Sequence, residues 1–295
     1  MQDDKSALKA TLIVVFTGVL WGFYWLPVRT LAGMGLAGPW GTAAITAAAT
    51  VFLAPVALRG QSLLCRERRR AIAFVALGGA AFSLYSVALV YGRVAIIILL
   101  FFLTPVWSTL IARYVMGWRT PILRYFAIAF GLAGLGVMLG AQGQVPLPRN
   151  TGEWIALLSG MLWAVATTGI RATPELPAPQ AAFVFAGGAT VTTLCIGPLL
   201  SPWQSPDGSP LAMLAIVLGT GGLWWGLSMA SLMWATVRLD PARVGILLMA
   251  EVLIGAASAA VLASEALSPL EMIGGALVLC AGLLEVWPVR RVRRN

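Results

Sequence analysis

The sequence has no histidine and three cysteines, and charged residues fill 11% of its 295 positions. Without histidine, His-based zinc sites, proximal haem ligation and serine–histidine catalysis are all excluded. Lysine occurs only at positions 5 and 9, so no Schiff base can form inside an apolar bundle. The chain has no G-x-S-x-G elbow and no phosphate loop ending in Gly-Lys, so neither a hydrolase turn nor ATP turnover is encoded. Cys65, Cys195 and Cys280 are scattered, form no disulfide framework or metal spacing, and read as small apolar packing residues. No metal, no cofactor and no catalytic residue is expected.

What the sequence does have is apolar length. Hydrophobic residues make up 59% of it, more than a soluble domain of this size can hide. The charge-free runs 10–28, 71–92, 94–112 and 125–148 each approach the ~20 residues that span a bilayer. The runs 30–58, 176–206 and 208–237 each hold one helix with part of a loop. With 154–170, 242–264 and 269–288 the expectation is ten helices. The runs are continuously apolar, unlike the alternating segments of a β-barrel. The fold class expected is therefore an all-α polytopic membrane protein with ten transmembrane helices.

The net charge of +9 follows this topology. Seventeen of the twenty basic residues fall on one side of a ten-helix layout, from Lys5 and Lys9 to the tail Arg290–Arg294. Arg29, Arg93 and Arg149 fall on the other. By the positive-inside rule both termini are cytoplasmic. Anionic lipid headgroups account for the basic tail, and a nucleic-acid partner is not expected. The first apolar segment is too long for a signal-peptide core and is retained as helix one.

Two segments echo one another. Gly18-Val19-Leu20-Trp21-Gly22 with Arg29 recurs as Gly160-Met161-Leu162-Trp163-Ala164 with Arg171, 142 positions later. Thr120-Pro121 with Ala133-Gly134 recurs as Ser268-Pro269 with Ala281-Gly282, 148 positions later. The expected organisation is a first five-helix repeat over 1–141, a linker over 142–152 and a second repeat over 153–295. Five is odd, so the second copy enters the membrane inverted, the arrangement of alternating-access carriers.

These openings at Trp21 and Trp163 carry a resemblance, together with the closing stretch Asp240-Pro241-Ala242, Glu251, Ser264 to Pro269, Gly274-Gly275 and Gly282. The chain resembles the drug/metabolite transporter superfamily in its ten-helix form with two EamA-type halves. The likeness spans essentially the whole chain. It departs from the pattern at helix nine, where Val252 replaces the proline after the membrane glutamate. Helix four departs the other way: Thr104-Pro105 keeps the proline and loses the carboxylate. The resemblance implies a carrier of the bacterial inner membrane, most like exporters of aromatic and other neutral amino acids.

The candidate substrate residues are Trp21, Tyr24, Tyr85, Thr104, Trp107, Trp163, Trp224 and Glu251, with Tyr91 and Trp225 extending the aromatic set. Trp21 and Trp163 occupy equivalent positions and are read as facing one another across a central cavity. Indole and phenol present a flat apolar face and one polar handle, which suits a zwitterion with a ring, and either face attracts ammonium. For each aromatic the alternative is helix packing. Glu251 stands ten residues into helix nine, roughly 14 Å along at 1.5 Å per residue. A carboxylate at that depth costs about 2.5–3.5 kcal/mol and usually faces a pathway. It either binds a substrate ammonium or coupled proton, or is a structural glutamate bonded to a neighbouring helix. Glu265 and Glu285 lie near helix ends and are poorer candidates.

Pro27 and Pro105 are the expected hinges, since each removes a backbone hydrogen bond beside a candidate residue; Pro55 and Pro198 are further kinks. Gly131, Gly134 and Gly136 on helix five, with Gly274, Gly275 and Gly282 on helix ten, suit close packing and mark these helices as a buttress.

The expected partners are a small-molecule substrate, an amino acid, and membrane lipids, with no ATPase subunit. A membrane enzyme lacks its catalytic groups, and a channel lacks a charge ring or carbonyl filter. The competing carrier is a proton-coupled exporter of lipophilic cations.

Overall fold

The structure is a computed structural model and describes residues 2–59, 68–115, 117, 122–141, 143, 147–236, 238–239 and 241–286. Cys65, Thr120-Pro121, Asp240 and the basic tail lie outside the described residues, as does the side chain of Glu285.

Every regular element among the described residues is helical. The helices are α1 (Gln2–Gly22), α2 (Trp25–Gly33), α3 (Pro39–Ala57), α4 (Arg69–Tyr91), α5 (Val94–Phe101), α6 (Thr104–Leu110), α7 (Ile122–Gly140), α8 (Thr151–Arg171), α9 (Ala178–Leu200), α10 (Pro210–Thr220), α11 (Met229–Thr236), α12 (Pro241–Leu248), α13 (Ala250–Leu262) and α14 (Pro269–Val286). Two π-helical segments intervene, Ile111–Val115 after α6 and Gly221–Ser228 between α10 and α11.

Eight helices or near-continuous helix runs are long and apolar enough to cross a membrane, and shorter apolar helices run over Ile246–Leu262 and Pro269–Leu284. Large apolar side chains such as Phe16, Val51, Phe52, Leu199, Leu211 and Val261 stand exposed on the outside of the bundle. Their solvent is hydrocarbon, which explains why they are not buried. The chain is thus a multi-pass helical membrane protein.

Local chemistry sets the helix starts. Asn150 Oδ1 accepts the Glu153 N–H at 2.9 Å, and the Glu153 carboxylate accepts the Arg149 N–H at 2.8 Å. At α14, Ser268 Oγ accepts the Glu271 N–H at 3.2 Å while Glu271 Oε2 accepts the Ser268 N–H at 2.7 Å. Both are reciprocal caps that satisfy otherwise orphaned donors. Pro39 and Pro210 stand in first turns, where the missing N–H removes no helical bond.

The principal packings are α7 on α14, α4 on both α8 and α9, and α3 on α9. The α1 helix lies against α11, α12 and α13, α8 against α5 and α6, and α13 against α5. The π-helical segment Gly221–Ser228 packs on α3. On the α7–α14 seam the backbones touch: a Cβ on Gly134 would lie 2.6 Å from the Gly274 carbonyl oxygen. Such contact is the main attraction available between helices in lipid. Gly136 has open space instead, so its expected packing role is corrected. Cys195 and Cys280 are also corrected: both are exposed, on α9 and α14, and are not core packing residues.

Candidate functional site

Three apolar runs are broken, each within a few residues of a predicted site residue. The chain turns between α1 and α2 at Phe23-Tyr24, between α5 and α6 at Phe102-Leu103, and between α12 and α13 at Met249. Pro27 and Pro105 follow two of these breaks. Pro27 leaves the Phe23 carbonyl without its helical donor, and that oxygen takes the Leu26 N–H at 3.0 Å. At the second break the Thr104 hydroxyl donates to the Phe101 carbonyl at 2.7 Å, covering an acceptor that Pro105 cannot serve. Pro27→Ala restores a donor. It is expected to straighten the α1/α2 break and raise thermal stability slightly, as read by unfolding in detergent. An unchanged or lower melting temperature would show that Pro27 does not set the break.

Small residues let the broken helices approach their neighbours. A Cβ on Gly18 would meet the Glu251 backbone nitrogen at 3.4 Å, and one on Gly22 the Glu251 carbonyl at 3.0 Å. In the second copy of the motif, a Cβ on Gly160 would meet the Phe101 carbonyl at 2.9 Å. The glycine that opens each Gly-x-Leu-Trp motif therefore seats its helix against a break, α1 on the start of α13 and α8 on the end of α5.

Aromatic rings fill the centre. Phe82 of α4 is the hub, with ring centroids at 4.7 Å to Trp21, 5.3 Å to Tyr85, 5.5 Å to Trp225, 6.1 Å to both Phe101 and Trp163, 6.2 Å to Phe185 and 6.3 Å to Tyr24. Most of these contacts are edge-on or tilted, the favoured geometry for ring quadrupoles. Trp21 and Trp163 belong to one cluster, each meeting Phe82. No ring contact joins the two directly among the described residues.

The polar handles of the rings are satisfied in pairs. Trp21 Nε1 donates to Ser228 Oγ at 3.1 Å, and Ser228 in turn donates to the Trp224 carbonyl. Trp225 Nε1 donates to Tyr24 Oη at 3.1 Å; Tyr24 Oη and Ser86 Oγ share a hydrogen bond at 3.0 Å, and Ser86 and Thr42 share another at 2.8 Å. Trp25 Nε1 donates to Ser258 Oγ at 2.9 Å. Trp224 turns its Nε1 to the Leu20 carbonyl at 2.8 Å and joins the π-helical segment to α1 without entering the ring cluster.

Glu251 is the carboxyl group of this centre. It is buried in the first turn of α13, and its Oε1 accepts the Tyr85 hydroxyl at 3.1 Å. The helix dipole favours a carboxylate at that position. The other buried acids among the described residues are Glu153 and Glu271, both committed to helix caps. Trp107, packed against the core from α6, has a buried Nε1 with no hydrogen-bond acceptor among the described residues. The centre thus offers a carboxyl acceptor and aromatic faces. A cleft of about 310 Å³ lies alongside between α1 and the π-helical segment, with Phe16, Thr17, Leu223 and Ser228 on its walls. Tyr91 sits apart, its hydroxyl against Gly38.

Phe82, Phe101 and Phe185 escape a reading of the sequence because phenylalanine in an apolar run carries no polar handle. Ser86, Ser228 and Ser258 are found only through their partners.

No family model matches the chain, and no curated protein does. Seventeen chains of solved structures match it. One of them, a crystal structure of a protein, shares 22% sequence identity with a TM-score of 0.58, over 93% of this chain and 95% of that chain. That likeness shows the fold alone.

Proposed function

We propose that the protein is an alternating-access carrier of the drug/metabolite transporter type that exports amino acids, aromatic and other neutral ones, across a bacterial inner membrane. Both termini then lie in the cytoplasm, with the basic end of the bundle inside.

The observation that carries this reading is the pairing of helices. Taken as ten spans, the chain runs α1/α2, α3, α4, α5/α6 and α7, then α8, α9, α10 with α11, α12/α13 and α14. Exchanging the two sets of five carries the first–ninth contact onto sixth–fourth, third–sixth onto eighth–first, and third–seventh onto eighth–second. Second–seventh, fourth–ninth and fifth–tenth map onto themselves. Each of these contacts occurs. Interchangeable pairings of this kind support two conformations related by exchange of the halves, which is what alternating access requires.

The cargo follows from the centre. Glu251 and the ring faces suit an ammonium group with an aromatic or apolar side chain. A second reading, a lipophilic-cation exporter, is favoured by Glu251 being the one buried charge of the central cluster. Counterflow in proteoliposomes separates them. Vesicles loaded with unlabelled phenylalanine, methionine or threonine are expected to accumulate labelled phenylalanine. No accumulation, alongside ethidium movement driven by a pH gradient, would replace the amino-acid reading with the cation exporter.

A further inference from the structure

We infer that this carrier is latched at one end only, so that at rest it loads from the cytoplasmic side. The inference rests on the inverted-repeat reading above.

Arg29 donates to Glu265 Oε1 at 2.6 Å, to the Leu89 carbonyl at 2.8 Å and to the Gly92 carbonyl at 2.6 Å. The second oxygen of Glu265 accepts the Val94 N–H at 2.7 Å. Beside it, Arg93 pairs with Glu271 at 2.5 Å and donates to the Ala266 carbonyl at 2.8 Å. Each arginine belongs to the first half and each glutamate to the second. Both ion pairs therefore tie the halves together at the same end.

Burial marks that end as the closed one. All eight residues of α5, which leads from Arg93 to the break, are buried; beyond the break, α6 buries two of its seven. In α4, residues 81–89 are all buried, whereas the stretch from Arg69 to Ala80 buries only Ala71, Val75, Gly78 and Gly79.

The repeat supplies the asymmetry. Arg29 has its counterpart in Arg171, 142 positions on, and Arg93 in Arg238, 145 positions on. The glutamates have none. The positions 148 before Glu265 and Glu271 hold Gly117 and Leu123, and no acidic residue occurs anywhere from Arg113 to Arg124. Arg238 instead stacks on Trp234, 3.9 Å from the ring centroid, and donates to the Trp234 carbonyl. When the ends exchange, two ion pairs and their backbone bonds are lost, and the repeat places no glutamates opposite Arg171 and Arg238 to replace them. One half-buried pair contributes little, but Arg29 and Glu265 each also satisfy backbone groups. An interaction present in one state alone shifts the population toward that state.

Thiol accessibility from outside tests this in right-side-out vesicles. Cys65, Cys195 and Cys280 are replaced by alanine, and Val28→Cys, buried one residue before Arg29, reports opening. With a membrane-impermeant maleimide, Glu265→Gln and Arg29→Gln are each expected to raise labelling about tenfold, and the double variant no further, because residues of one network are not additive. In Glu265→Gln the side-chain amide oxygen still accepts the Val94 N–H, so the local fold is retained. Arg171→Gln and Arg238→Gln are expected to leave labelling unchanged. Unchanged labelling in both Glu265→Gln and Arg29→Gln, or additive effects in the double variant, would overturn the latch. Phenylalanine counterflow by the unsubstituted protein is measured in parallel. Its failure sinks the amino-acid reading while the labelling pattern still decides the latch.

Discussion

Glu251→Gln is expected to lower phenylalanine counterflow by about ten- to a hundredfold, the equivalent of losing a charged hydrogen bond of about 1.5–3 kcal/mol. In the proposed carrier Glu251 receives the substrate ammonium in a centre with no other buried charge among the described residues. Glutamine keeps the shape and an acceptor for the Tyr85 hydroxyl, so the helix packing around Gly18 and Gly22 survives. Tyr85→Phe removes a neutral donor only and is expected to cost less, under about tenfold, in line with about 0.5–1.5 kcal/mol for an ordinary hydrogen bond. The order of the two effects is as informative as their size. Counterflow that survives Glu251→Gln but is lost in Tyr85→Phe would make Glu251 a structural glutamate and move the binding role to the ring cluster. Elution as a single species in detergent checks that each variant is folded.

Gly134→Leu is expected to destabilise the protein by at least about 1–3 kcal/mol, the usual cost of overpacking. A Cβ there would sit 2.6 Å from the Gly274 carbonyl and 3.0 Å from the Leu277 Cβ. The same is true in reverse, since a Cβ on Gly274 would lie 2.7 Å from the Gly134 carbonyl. Neither contact can relax by turning a flexible side chain, because the obstructing atoms include backbone. In hydrocarbon no hydrophobic effect offsets the loss, so the α7–α14 seam opens. Gly136→Leu on the same helix meets open space and is expected to leave the melting temperature unchanged. Thermal unfolding of the two variants in one detergent reads the difference. Equal melting temperatures would show that the seam contributes nothing to stability.

The order of apolar segments was legible because a bilayer imposes a length and a composition on each. Prolines at 27 and 105 marked two of the three breaks, since a missing N–H is a local fact. The third, at Met249, has no proline and left no mark. The aromatic set was legible in part: Trp21, Tyr24, Tyr85, Trp163 and Trp225 meet in one cluster, yet Phe82 at its hub has nothing to distinguish it from a lipid-facing phenylalanine. Trp224 shares residue type and neighbourhood with Trp225, but the two face different ways on a π-helical turn whose 3.6-residue reading fails. Glu265 looked like a poor candidate from its place at a helix end. Its partner Arg29 lies 236 positions away, and only the fold brings the two within 2.6 Å.

The account stands most directly on the inversion of the two halves, and one labelling experiment reaches it. Gly33 and Glu175 are both exposed and are separated by the repeat offset of 142 positions. A cysteine at each, in separate cysteine-free backgrounds, is challenged with a membrane-impermeant maleimide before and after the membrane is permeabilised. The account predicts that Gly33→Cys reacts in intact right-side-out vesicles, and that Glu175→Cys reacts only once the inner face is exposed. Labelling of both from the same side would contradict the inverted repeat, and with it the carrier reading and the one-ended latch.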